Sequence, residues 1–179
     1  MAKLDILEVP HPILRETAVR VPAVTPDIQR LLADMLETMY AANGVGLAGN
    51  QVGKLLRVVV VDCGGEKPDP IKMINPEIVD HSDTMVLHSE GCLSVPREYA
   101  DVERFETVTV RYWDENGHEQ TRTTDGLLSI AFQHEIDHLD GHLFIDRLSQ
   151  LKRSRLLKHL EKRRKKAARQ AETDNETEA

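Results

Sequence analysis

The segment QHEIDHL, residues 133–139, contains the pattern H-E-x-x-H, and the rest of the fold is predicted to be built around it. Asp125 is a suitable N-cap and Gly141 a suitable terminator, so the segment is predicted to lie on a helix that runs to about residue 140. His134 and His138 are four residues apart and share one helical face, so both imidazoles can reach one ion. Glu135 follows the first histidine directly, where its carboxylate can meet a water molecule on that ion.

Two imidazoles need a third ligand, and the sequence offers several candidates. A histidine six residues after the second one would complete one known pattern, but Phe144 stands at that position. Glu161 is the glutamate that a thermolysin-like peptidase would need, yet it lies in a strongly basic segment. Cys92, in the predicted turn EGCLS at 90–94, is favoured, because two histidines and one thiolate leave a fourth position open for water. Cys63 ends an apolar strand and is interpreted as a small buried side chain.

Hydrophobic periodicity predicts a single α+β domain, because most strands precede the late helices. Thr25 and Pro26 are typical of a helix start. A second long helix is predicted from Ser149, with Leu151, Leu156, Leu157 and Leu160 on its apolar side. The predicted strands are Leu55–Cys63, Ile74–Val79, Thr107–Trp113 and Glu119–Thr124, the last two joined by a hairpin turn.

The charge distribution divides the chain in two. The net charge is -7, yet the segment from Lys152 to Arg169 holds ten Lys or Arg residues and one acid. We predict one domain at 1–170, with a basic C-terminal helix at about 149–170 and an acidic disordered tail at 171–179. Two cysteines suit a reducing compartment, and no apolar run approaches ~18 residues, so the expected location is the cytoplasm.

Three separated segments resemble the signature motifs of the bacterial-type peptide deformylases. They are GVGLAGNQ at 44–51, EGCLS at 90–94 and QHEIDHL at 133–139. VPHPILR at 9–15 resembles the opening segment of that family, and the resemblance extends over about residues 4–165. Two positions depart from the family pattern: Gly49 stands where alanine is usual, and Ser89 where an acid is common.

The resemblance implies a metal-dependent hydrolase that removes the formyl group from the N-terminal formylmethionine of new polypeptides and releases formate. Cys92, His134 and His138 would hold one Fe²⁺ per chain, for which Zn²⁺, Ni²⁺ or Co²⁺ can substitute. Glu135 would move the proton from water to the leaving amine. The Gln51 side-chain amide and the Leu93 backbone N–H would stabilise the oxyanion.

The same resemblance assigns supporting roles. Glu90 is implied to pair with Arg104 behind the Cys92 turn, and Asp137 is implied to support a ligand histidine. Backbone groups near Gly46 would hold the peptide in extended form. The pocket for the methionine side chain is expected to be lined by Val45 and by three residues on the helical face of His134, which are Leu127, Ile130 and Ala131.

The implied partners are formylmethionyl nascent peptides and, through the basic helix, the ribosome; neither a membrane nor a sequence-specific nucleic acid is expected. Two other functions stay open at this point. An H-E-x-x-H peptidase would cleave internal bonds of unformylated peptides and use a third ligand other than Cys92. A non-catalytic ribosome-binding protein with a structural metal would close its site with four protein ligands.

Overall fold

The computed structural model describes residues 3–177, with side chains up to residue 170, and it contains two antiparallel sheets. The helices are α1 (Pro26–Ala41), α2 (Gly126–Leu139) and α3 (Gln150–Thr177), and short 3₁₀ turns cover Pro12–Arg15, Gly49–Val52 and Phe144–Arg147. The strands are β1 (Gly46–Ala48), β2 (Val58–Val61), β3 (Ile71–His81), β4 (Met85–Cys92), β5 (Val95–Phe105), β6 (Val108–Trp113) and β7 (Glu119–Thr124).

The larger sheet has the order β1-β2-β3-β6-β7, and α2 packs against it. Val59 and Val61 of β2 contribute to the same core as Phe132 and Ile136 of α2, and both pairs are buried. From Ser129 to Ile136 every residue of α2 is buried, because the helix has the sheet on one side and the second sheet on the other. The predicted α+β class, with antiparallel sheets around the H-E-x-x-H helix, is confirmed.

Helix α1 begins where the sequence predicts. Thr25 is its N-cap, with the side-chain oxygen 3.4 Å from the Ile28 backbone nitrogen, and Pro26 occupies the first turn. Leu32 and Met35 are fully buried against the side of the sheet that α2 leaves free.

Strands β4 and β5 form a hairpin that the sequence analysis did not predict. Residues 90–94 were predicted as a turn, but β4 continues through Cys92, and the turn is confined to Leu93 and Ser94. The strand fixes the backbone of Cys92, because Gly91 pairs with Tyr99 across the hairpin.

Helix α3 continues further than predicted. Its backbone is helical to Thr177, across most of the predicted tail at 171–179, as a continuation of the basic helix. Residues 178 and 179 of that tail lie outside the described residues. Leu156 and Leu160 are buried, whereas Leu151 is 61% exposed, so the apolar side is narrower than predicted. Within the described part of the chain, every helix is too short or too polar to cross a membrane.

Candidate active site

Strand β4 and helix α2 bring the three predicted metal ligands together. The Sγ of Cys92 lies 3.2 Å from Nε2 of His138, which lies 3.2 Å from Nε2 of His134. All three atoms fall within 4.8 Å of one another. A thiolate and two imidazole nitrogens facing a common point are a donor set that fits a divalent transition metal. Glu161 is not in this group; it pairs with Lys165 on the exposed side of α3.

A buried ion pair behind the cluster fixes the ring of His134. Its Nδ1 lies 2.7 Å from the Glu90 carboxylate, which also accepts two hydrogen bonds from Arg104, at 2.6 and 3.0 Å. Burial alone would raise the pKa of Glu90, but hydrogen bonds from Arg104 and His134 outweigh it and hold the pKa at about 2. The ionised carboxylate keeps the proton on Nδ1, so Nε2 is left free to bind a metal.

Asp137 belongs to the same network one step further out. It accepts a hydrogen bond of 2.6 Å from Arg104 and two of 2.9 Å from Arg147. The structure therefore connects Asp137 to His134 through Arg104 and Glu90. Arg147 was not identified from the sequence, since nothing in its local pattern shows which acid it pairs with.

Glu135 is a buried carboxyl group beside the cluster. Its side chain packs on the Gly46 backbone so closely that a Cβ at Gly46 would overlap the carboxylate. Its Oε2 is buried without a hydrogen-bond partner among the described residues. Burial raises the pKa of Glu135 to about 7, although the charge of His134 opposes the shift. A carboxyl group with this pKa can both accept and return a proton near neutral pH.

Gln51 has a fixed orientation towards Cys92. Its Oε1 accepts a hydrogen bond of 2.8 Å from the Ala48 backbone N–H, so its Nε2 points the other way. That nitrogen lies 3.6 Å from the sulfur of Cys92 and 3.2 Å from the hydroxyl of Ser94. Leu93 follows in the turn, and a Cβ at Gly44 would lie 2.7 Å from its side chain.

A cleft of about 500 Å³ opens onto these groups. All five residues predicted to bind substrate line it, with Ile130 and Ala131 on its inner wall at 6% and 5% exposure. Val45 and Leu127 stand nearer the mouth and are about half exposed. Four lining residues from β5 were not identified from the sequence: Pro96, Arg97, Glu98 and Tyr99. Their nearness to Cys92 along the chain is the one signal that could have indicated them.

Gly49 has a structural reason for departing from the expected alanine. A Cβ at this position would lie 2.6 Å from the backbone carbonyl oxygens of both Lys54 and Leu56. Alanine would therefore require the turn at 54–56 to move away, and the glycine allows this turn to pack directly beneath the segment that carries Gln51.

Comparison with known proteins identifies the family of this chain. The family model described as polypeptide deformylase matches residues 3–154. The chain belongs to the polypeptide deformylase family. It is 52% identical over 171 residues to a peptide deformylase of Xylella fastidiosa (strain M12), covering 94% of this chain and 100% of that relative. The predicted family resemblance is confirmed.

Solved structures of the same family share the fold. A peptide deformylase from Legionella pneumophila superposes with a TM-score of 0.88 at 44% identity, covering 94% of this chain and 99% of that one. One from Ehrlichia chaffeensis, in complex with actinonin, gives 0.88 at 38% identity, with 91% and 98% covered.

Proposed function

We propose that this chain is a metal-dependent hydrolase that removes the formyl group from the N-terminal formylmethionine of newly made polypeptides. The observation that carries the proposal is the group of Cys92, His134 and His138, whose donor atoms lie within 4.8 Å of one another beside a buried Glu135. Membership of the deformylase family supports the same reaction.

The donor set favours one divalent metal per chain, and we infer Fe²⁺ with Zn²⁺, Ni²⁺ or Co²⁺ as substitutes. One thiolate with two imidazoles suits any of these ions. Within the described residues the group contains three protein donors, which matches a catalytic site with an open position better than a closed structural one. A cation held there supplies Lewis-acid chemistry, because it lowers the pKa of water and polarises a carbonyl oxygen.

Glu135 is the group that moves the proton. Its carboxylate accepts a proton as water attacks the formyl carbon, and a C–O bond forms. It then returns the proton to the amine nitrogen as the C–N bond breaks, so the products are formate and a free amino terminus. A pKa of about 7 suits both halves of this exchange.

Gln51 and Leu93 are assigned to the oxyanion. The hydrogen bond from Ala48 holds the Gln51 side-chain oxygen, and this leaves the amide N–H₂ directed at the side of the site where Cys92 lies. The Leu93 backbone N–H is the second donor. Each such donor contributes ~3 kcal/mol to stabilising the transition state.

The cleft suits an extended peptide that begins with an apolar side chain. Strand β1 is at the edge of its sheet and pairs with β2 on one side, so its other edge can pair with a substrate strand. Gly46 places this edge next to Glu135. The apolar side chains of Ile130, Ala131 and Leu127 form the wall that receives methionine.

We also propose that the basic part of α3 docks on the ribosome, in the cytoplasm where nascent chains appear. Lys162, Arg164, Lys165 and Lys166 are exposed on this helix, and clustered cations favour a polyanionic surface such as ribosomal RNA. Docking there would raise the local concentration of substrate.

Formate release from formyl-Met-Ala tests the proposed reaction. We expect turnover by the metal-replete protein, and a loss of about 10²–10⁴-fold in kcat for Glu135→Gln with unchanged metal content. Glu161→Gln is the matched control, because Glu161 is exposed on α3, and it should keep full activity. Equal rates for Glu135→Gln and the wild type, or cleavage of internal bonds in an unformylated peptide, would contradict the proposal.

A further inference from the structure

The mouth of the cleft contains a backbone conformation that disfavours its residue. Arg97 has φ +61°, in the left-handed region where a Cβ crowds the following carbonyl group and glycine is favoured. Its neighbours Pro96 and Glu98 line the cleft together with it. A strained residue at a functional rim persists when surrounding contacts hold it in place.

Helix α3 supplies those contacts on both sides of Arg97. Nη2 of Arg163 donates a hydrogen bond of 2.7 Å to the Pro96 carbonyl oxygen, and Nη1 lies 3.5 Å from the carbonyl oxygen of Arg97 itself. Nη2 also lies 2.6 Å from the carboxylate of Glu98. His159, one turn earlier on α3, lies 2.8 Å from the same carboxylate.

The exposure of these side chains separates Arg163 from its basic neighbours. The Glu98 side chain is 12% exposed and that of Arg163 is 32% exposed, whereas that of Lys165, two positions later, is 67% exposed. Arg163 therefore points at the cleft rim, and the guanidinium fork suits simultaneous contact with carbonyl and carboxylate oxygens.

We propose that Arg163 is a positioning residue for substrate binding, which holds the segment Pro96–Glu98 of β5, with Arg97 in its left-handed conformation, in the shape that the peptide contacts. This inference rests on the proposed function, and it makes α3 a part of the cleft as well as a candidate docking helix. Arg163 acts through the rim, so it contributes to peptide binding and leaves the metal and Glu135 untouched.

Steady-state kinetics on a formylated tripeptide with the metal-loaded, full-length protein test the proposal. We expect Arg163→Gln to raise KM about fivefold, equivalent to about 1 kcal/mol, with kcat within about twofold and metal content unchanged. Arg163→Lys keeps the charge and loses the fork, so it should recover part of the effect. Lys165→Gln is the matched control on the same helix and should match the wild type.

A double variant tests whether the effect passes through Arg97. Glycine adopts the left-handed conformation without strain. In Arg97→Gly, residues 96–98 should therefore keep their conformation with less dependence on the contacts from Arg163. In that background, adding Arg163→Gln should change KM less than about twofold, because coupled positions are not additive. An undiminished effect of Arg163→Gln would overturn the proposed route through Arg97.

Amide hydrogen exchange in residues 95–99 provides a readout that does not depend on turnover. Exchange should be faster in Arg163→Gln and in Glu98→Gln, which removes the same ion pair from the other side, and unchanged in Lys165→Gln. An inactive wild type would refute the proposed function. The exchange data would still test whether Arg163 holds residues 95–99 in place. Unchanged exchange in both variants, or a fall in kcat with constant KM, would overturn the inference.

Discussion

Ala131 is a small, buried residue in the wall of the cleft. It lies three residues before His134 on α2, is 5% exposed and lines the inner wall. Replacing its methyl group by the ring of phenylalanine should fill the space assigned to the methionine side chain. We expect Ala131→Phe to raise KM for formyl-Met peptides about tenfold or more, since the methionine side chain would lose a burial that contributes ~1.5–3 kcal/mol. Steady-state kinetics on formyl-Met-Ala will measure the KM of the variant and of the wild type.

Metal content and a second phenylalanine variant control for other effects. Ala167→Phe makes the same substitution at an exposed position of α3 and should leave the kinetics unchanged. Metal content should stay at one ion per chain in both variants. A wild-type KM for Ala131→Phe would remove this residue from the pocket.

At the level of elements, the residues on the buried face decide whether a helix or strand can be predicted from the sequence. Helix α1 and strand β6 bury aliphatic residues at their own periods, such as Leu32 and Met35 or Val108 and Val110, so both were predicted. The β4–β5 hairpin also alternates between buried and exposed positions, but its buried side carries Glu90 and Arg104 among others. Charged residues at inward positions hide the alternation, so the hairpin was missed.

The candidate site shows the same division. The candidate metal ligands and the candidate proton carrier could be predicted from the sequence, because residue type, helical spacing and the resemblance to family motifs all indicate them. They are Cys92, His134, His138 and Glu135. The positions of Arg147 and Arg163 could not be predicted, because an arginine can reach many acids and its choice is made by packing in three dimensions.

The buried ion pair between β4 and β5 leads to a prediction about stability. Arg104 is 1% exposed and is the partner of both Glu90 and Asp137. Arg104→Met would leave the buried Glu90 carboxylate without its arginine, whereas Asp137 would keep Arg147. We expect the free energy of unfolding at pH 7 to fall by ~3–5 kcal/mol. Urea unfolding of the wild type and the variant, both in chelator, measures this difference. An unchanged free energy would contradict the structural role of the pair.

The same variant has a defined pH dependence. The pKa of Glu90 is about 2 in the folded protein against an ordinary 4.5, so its contribution is present above pH 4.5 and is lost as the pH falls towards 2. In Arg104→Met, burial instead raises the pKa, and protonation on acidification relieves the penalty. The stability difference should therefore shrink from pH 7 to pH 3. Arg111→Met, which breaks the exposed pair with Glu77, should show almost no difference at either pH.

For the molecule as a whole, α3 combines two buried leucines in its first half with exposed basic residues at 162 and 164–166. Leu156 and Leu160 are 8% and 5% exposed and share a core cluster with Leu143 and Phe144. Deleting residues 152–179 should therefore lower the free energy of unfolding by several kcal/mol, at ~2–5 per buried leucine. Deleting residues 165–179 keeps this core and Arg163, so thermal stability and formate release should stay near wild type.

Ribosome co-sedimentation at low salt then tests the docking proposal with the shorter deletion. We expect binding to weaken in a full-length variant with Lys165→Gln and Lys166→Gln, which removes two clustered cations and leaves the acidic residues in place. It should also weaken without residues 165–179, because these two lysines and Arg169 are lost. Wild-type co-sedimentation in both would show that this part of α3 does not dock.

The short length of β1 limits which part of a substrate it can pair with. An edge of this length spans only ~10 Å, at ~3.3 Å per residue, so it can pair with no more than the first few residues of a polypeptide. Substrate residues after these make no pairing with β1, which suits an enzyme whose substrates differ in sequence. The proposed pairing with β1 requires an extended backbone, so a polypeptide whose N-terminus is already helical or buried in a core should not be processed.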